Sequence, residues 1–150
     1  MAHFAELDGS NVVKRVIVVG NDVETAAGPL GTNDMHVDGE TWCVNFFKGG
    51  NWKQTSYNHN FRKQYAPVGS TFDAAKDKFI STQPFASWAL DGNDDWQAPV
   101  TFPTIITYND GANRYHAAWD EAGQKWTATD DSDPVNNFNW DASALAWVSA

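Results

Sequence analysis

The chain repeats one pattern: an aromatic residue, an Asp, five further residues, then a second aromatic. Phe72-Asp73 leads to Phe79, Trp119-Asp120 to Trp126, and Trp140-Asp141 to Trp147. A near-copy runs from Leu90-Asp91 to Trp96 and is opened by Trp88. Asp bonds its own backbone and tolerates turn geometry, while aromatic side chains pair across antiparallel strands. The pattern predicts successive short hairpins, each closed by two large rings. Rings placed at hairpin ends suit a display or assembly surface better than an enzyme pocket.

The remaining segments point the same way. Phe4 to Leu7 and Val12 to Val19 flank the turn signal Asp8-Gly9-Ser10-Asn11, which predicts a further hairpin. Residues 21–39 are rich in Gly, Asp and Thr without periodicity and read as a loop. Asp38-Gly39-Glu40 has the form of a helix start and Gly49-Gly50 that of its stop. Trp42, Cys43, Phe46 and Phe47 fall at helical spacing between them, so a short helix is expected over 40–48, packed through that face. Asn51–Tyr57 reads as a strand, Asn58-His59-Asn60 as a turn and Phe61–Tyr65 as a second strand. Gln83-Pro84 breaks the chain, and Pro99, Phe102 and Pro103 give a stretch that resists strand pairing. Ile105–Tyr108 is read as strand, Asn109-Asp110-Gly111 as a turn, Tyr115–Trp119 with Lys125–Ala128 as a hairpin, and Asp130–Pro134 as a linker. The expected fold is mainly β: antiparallel hairpins forming a small sandwich or barrel-like domain over 1–100, with one short helix near 40–48. A more extended, hairpin-rich region follows over 101–150, as a separate part or within the same domain, with the boundary near 98–104.

A length of 150 residues suffices for one domain with a real core. The charge is uneven. Residues 1–70 carry six Lys/Arg against seven Asp/Glu, and residues 71–150 carry four against twelve. An acidic C-terminal half argues against nucleic acid and anionic membrane as partners and suits solvent or a basic docking surface. The opening residues lack a basic n-region and a long apolar run, so no signal peptide is read there. The chain is expected to be made in a cytosol.

Catalytic chemistry finds little support. Asp91, Asn93 and Asp95 alternate like the first ligands of a calcium loop, but Trp96 and Phe102 stand where such a loop needs Gly and Glu. Cys43 is the single Cys, and with His59 it is the one conceivable nucleophile–base pair; nothing local supports it. His3, His36, His59 and His116 show no metal-ligand spacing. No catalytic residue, cofactor or metal site is expected. Aromatic contact is the better prospect. Asn51-Trp52-Lys53-Gln54-Thr55-Ser56-Tyr57-Asn58 is polar but studded with rings, and Trp52 and Tyr57 fall on opposite faces of a regular strand. Trp52, Tyr57, Arg62, Trp88 and Trp96 are the expected contact residues.

The same block, with the opening Met1-Ala2-His3-Phe4-Ala5-Glu6-Leu7-Asp8, resembles a family of small virion structural proteins of cyanophages and related marine bacteriophages. Asn11-Val12-Val13, Val16-Ile17-Val18-Val19, Arg62, Tyr65-Ala66, Gly69, Pro84, Ser87-Trp88, Leu90-Asp91, Trp96 and Pro99 extend the resemblance in order over roughly the first 100 residues. The chain departs from the family at Pro67, and its loop at 21–39 is its own. The resemblance implies a virion component that is not an enzyme. The expected role is a capsid decoration or cement protein, held by other virion proteins and present as a homo-oligomer or in many copies. A tail-fibre or baseplate-associated protein touching host glycans is the alternative. A small lysin-type hydrolase is disfavoured, because the acids fall in turns and not across a cleft.

Overall fold

The computed structural model describes residues 1–31 and 35–150. It is mainly β with one short helix, as expected, and no sheet among the described residues closes into a barrel. The chain divides into two compact units, Met1–Thr82 and Gln83–Ala150. The division falls at the Gln83-Pro84 break. The boundary expected near 98–104 lies inside the second unit.

The first unit is built on β1 (Ala2–Leu7), which pairs antiparallel with β2 (Val13–Val19) on one side. A short hairpin, β3 (Glu24–Thr25) and β4 (Gly28–Pro29), and helix α1 (Val37–Phe46) follow; β5 (Asn51–Thr55) then pairs with the other side of β1. The hairpin β6 (Thr71–Asp73) and β7 (Lys78–Ile80) completes the unit. Alternation along β1 sends Ala2 and Phe4 to one face and Ala5 and Leu7 to the other. Both faces are covered. Phe4 packs with Val19, Leu30, Cys43 and Trp52 under α1, while Ala5 and Leu7 pack with Val13, Ala66, Phe72 and Phe79 under the β6–β7 hairpin.

Four sequence expectations change in this unit. Residues 21–39 are not all loop, since they hold β3, β4 and the first turn of α1. The helix begins at Val37 because Gly39 is no start signal but a point of close approach. A Cβ there would lie 2.5 Å from Phe4 Cζ and 2.9 Å from Leu30 Cδ2. The expected apolar face also turns: Cys43 is buried, whereas Phe46 is exposed and stacks on Trp42 at 4.8 Å. Finally, Phe61–Tyr65 forms no strand. Arg62 and Lys63 adopt φ of 52° and 68°, which strand pairing forbids.

The second unit opens with the small hairpin β8 (Ala89–Leu90) and β9 (Trp96–Gln97). A second one follows, β10 (Thr107–Tyr108) and β11 (Asn113–Arg114). Its main element is a four-stranded meander of β12 (His116–Asp120), β13 (Lys125–Thr129), β14 (Asn137–Asp141) and β15 (Ala146–Ser149). The predicted ring pairs are all partners in register: Phe72 with Phe79, Trp119 with Trp126, Trp140 with Trp147, and Leu90 with Trp96. The first three share one geometry. Their ring centroids lie 5.0, 5.2 and 5.1 Å apart. The last loop residue is left-handed in each, with φ of 47° at Asp77, 44° at Gln124 and 50° at Leu145. The opening Asp accepts backbone N–H bonds within its own turn: Asp73 from Ala75 and Lys76, Asp120 from Gly123, and Asp141 from Ser143 and Ala144.

Register joins the two Trp hairpins. Thr127 pairs with Asn139 and Ala128 with Phe138, which sets Trp126 level with Trp140. Trp119, Trp126, Trp140 and Trp147 thus form one row across a single face of the sheet. Phe85, Trp88, Ala98 and Val100 pack on this row. The segment 98–106 lies over it as a strap: Trp126 Nε1 donates to Val100 O at 2.8 Å and Trp147 Nε1 to Ile105 O at 2.7 Å. Proline keeps the strap out of any sheet, and the indoles hold it in place. Asp130–Pro134, expected as a linker, is an ordered turn. The Asp130 carboxylate accepts from Ser132 N and Oγ and from Asn136 N and Nδ2, and the Asn136 bonds foremost depress its pKa from 3.8 to about 2.

Two outcomes follow from this packing. Gly39→Ala drives a methyl into Phe4, which is fully buried, and is expected to lower stability by about 1–3 kcal/mol in urea unfolding. Asp130 has a folded-state pKa below its unfolded one, so its contribution is complete above the ordinary value of 3.8 and is lost as pH falls toward about 2. Amide protection at residues 130–136, taken as the ratio of intrinsic to observed exchange at each pH, should fall across that window in the parent protein. Asp130→Asn lacks the titrating carboxylate and should show a smaller fall.

Candidate binding surfaces

The five expected contact residues have different fates. Trp52 is core: it is 2% exposed, stacks on Phe47 at 4.8 Å, and donates Nε1 to Gly49 O. The Arg15 guanidinium lies over both rings and is held by Glu6 Oε2 at 2.6 Å.

Arg62 is a staple. Its side chain is 7% exposed and bonds Glu40 Oε1 at 2.7 Å, Asp77 Oδ1 at 2.9 Å and Gln54 O at 2.8 Å, with its guanidinium over the Phe72 ring. Glu40 Oε1 also accepts from Gln54 N. Among the described residues β5 is an edge strand, so the outward N–H and C=O of Gln54 are met from outside the sheet. The Glu40–Arg62 ion pair satisfies both. The left-handed backbone that spoils the expected strand at 61–65 is what brings Arg62 to this edge.

Tyr57 is 68% exposed and stacks on His3 at 5.5 Å, with Tyr65 edge-on to both at 5.9 and 6.0 Å. It lines a cleft of about 300 Å³ together with Gln54, Ser56, Asn58 and Asn60. Strand β5 ends at Thr55, which turns the Tyr57 ring outward while Trp52 stays inside.

Trp88 and Trp96 belong to the second unit and the Tyr57 cleft to the first. Trp96 is half-buried on β9. Trp88 packs edge-on to Trp126 at 5.9 Å and Trp119 at 6.3 Å, and its buried indole N–H meets no acceptor among the described residues. Beside it, Glu121 accepts from Ser87 Oγ, Trp119 Nε1 and Ser87 N, and these bonds lower its pKa.

Sequence reasoning missed the strap. Phe102 is 51% exposed and meets Trp126 edge-on at 4.9 Å. A pocket of about 300 Å³ lies on one side of it, reaching Trp88, Gln97 and Trp126. A second of about 330 Å³ lies on the other, reaching Trp140 and Leu145. Ile105, Ile106 and Leu145 are exposed as well. The signal was present as Pro99-Val100-Thr101-Phe102-Pro103, a ring held between two prolines.

Reactive groups are not gathered at these surfaces. Cys43 is fully buried in α1, and burial, helped by Glu40, raises its thiol pKa to about 12. His59 Nδ1 accepts from Tyr65 N. The Asp91 carboxylate accepts from Asn93 N, Asp95 N and Gln97 Nε2, the bonding of a hairpin turn. Among the described residues no group of three or more His, Cys, Asp or Glu is placed to hold a metal ion, and no helix is long and apolar enough to cross a membrane.

No family model matches the chain, and no curated protein or solved structure matches it.

Trp126 and Trp88 separate by substitution. Trp126→Phe loses the bond to Val100 O and is expected to cost about 1 kcal/mol in thermal or urea unfolding. Trp88→Phe removes a buried donor that lacks an acceptor, so it should cost less than Trp126→Phe despite deleting a similar volume. Equal losses would show that ring volume, not the indole N–H, sets both values.

Proposed function

We propose that this protein is a structural accessory component of a phage particle that acts by binding, as a decoration or cement protein on the capsid exterior. The observation that carries the reading is the strap of the second unit with the β14–β15 turn beside it, where Phe102, Ile105, Ile106 and Leu145 leave large apolar side chains in solvent. Exposed apolar groups gathered beside concave pockets mark protein–protein contact. The surrounding composition fits a basic partner, since residues 83–150 carry two Lys/Arg against ten Asp/Glu. The resemblance over the first 100 residues supports the virion setting. Repetition of one modest contact over a symmetric shell multiplies its strength. The hairpin carboxylates support a non-catalytic role, because they bond their own turns instead of facing each other across a cleft.

A second reading, a tail-fibre or baseplate-associated protein that touches host glycans, is favoured by one feature. The exposed Tyr57 ring in a cleft with Ser56, Asn58 and Asn60 offers a stacking plane beside hydrogen-bonding side chains.

A low-dose map of intact particles separates the two. Decoration predicts regular density for this chain over the capsid lattice, and the fibre reading predicts density confined to the tail. Absence from the particle sinks both. Leu145→Asp is the matched variant, since Leu145 is 58% exposed and Asp accepts its left-handed backbone. It should stay folded by circular dichroism and weaken capsid binding by about tenfold or more in a sedimentation assay.

A further inference from the structure

Three rings wall one pocket of the second unit: Trp88, Phe102 and Trp126. Trp126 meets Phe102 at 82° and Trp88 at 66°, so the walls stand nearly perpendicular rather than stacked flat. Two of the walls are fixed from behind. Trp126 is anchored through Nε1 to Val100 O at 2.8 Å, and Trp88 is packed against Phe85 at 5.6 Å and Trp119 at 6.3 Å. Phe102 is the open wall. We infer that this pocket receives a cationic side chain, arginine before lysine, from the protein onto which the chain docks.

The argument is electrostatic and geometric. Aromatic faces carry partial negative charge and attract cations placed over them. None of the side chains lining the pocket is charged, so no resident cation competes for the rings. Two carboxylates bond a lining residue or the neighbours of one. Asp91 Oδ2 accepts from the lining residue Gln97 at 3.1 Å, and Glu121 bonds Ser87, the neighbour of Trp88, and Trp119. Hydrogen bonds from Ser87 and Trp119 hold the Glu121 carboxyl below its usual pKa. The cavity of about 300 Å³ takes a guanidinium with part of its stem. Guanidinium is planar and weakly hydrated, which suits it to stacking on a single ring face better than ammonium. A sugar fits less well, because beyond the backbone the lining offers few hydrogen-bonding groups, Gln97, Thr101 and the buried Trp88 indole N–H.

This deepens the binding reading above by naming what the partner presents, and its test is independent of the particle. The indole N–H signals of Trp88 and Trp126 in the full chain are followed by NMR while the peptide acetyl-Gly-Arg-Gly-amide is added. Both signals should move and saturate. The same peptide with neutral citrulline should bind about tenfold more weakly. Phe102→Leu keeps the apolar bulk and removes the ring, so it should weaken arginine binding by a similar factor, and Phe102→Tyr should restore it. Equal binding of arginine and citrulline, an unchanged affinity in Phe102→Leu, or indole signals that stay still each overturns the inference. Indole shifts with a methyl glycoside but not with the arginine peptide overturn it in favour of a saccharide. A negative result leaves the capsid reading standing, and a chain missing from the particle leaves arginine binding measurable.

Discussion

Two aromatic rings, locked about 5 Å apart across a four-residue turn whose first carboxylate bonds the backbone ahead of it, are the contact on which both units are organised. In the first unit Phe72 and Phe79 turn this pair into a lid, which closes the core on the face of β1 away from the helix. In the second unit two such pairs sit side by side and in register. Four tryptophans then share one face, and a face of that kind needs cover. Backbone without regular pairing supplies it, held by indole hydrogen bonds to carbonyls that no strand would satisfy. The cover cannot hide all of itself. Its outer side chains, Phe102 foremost, stay in solvent.

The first unit meets a different constraint, which is a central strand buried on both faces beside an unprotected edge. The Glu40–Arg62 pair resolves the edge by standing in for a neighbouring strand at Gln54. A buried ion pair is poor grounds for extra stability in general. Its use here is specificity: it blocks the edge to foreign strands while it ties helix, sheet and hairpin together through three acceptors.

Much of this was legible in the sequence where the cause is local. The ring pairs and the first hairpin could be read because spacing, Asp and β-branched residues act within about ten residues of one another. Gly39 was misread because a glycine required for close packing looks like a glycine that marks a helix start. Arg62 was misjudged as a contact residue because its left-handed backbone leaves no mark in its identity. Pro99 and Pro103 were correctly read as resisting pairing, but a segment that pairs with nothing can be a linker or a cover. The partner that decides between them, the Trp row, exists only after the hairpins have docked. The same long-range dependence hid Phe102 as a surface residue and Trp52 as core.

The three equivalent turns differ mainly in what their loops do. Asp77 reaches the Arg62 staple, Glu121 holds Ser87 and the Trp119 indole, and Leu145 is left in solvent beside Phe102. The rings and the opening Asp at the base specify the fold, and a single loop residue specifies the task. Information for shape and information for use are thus written at separate addresses of the same short motif. A chain organised in this way can copy a hairpin whole and give the copy a new job by changing one side chain.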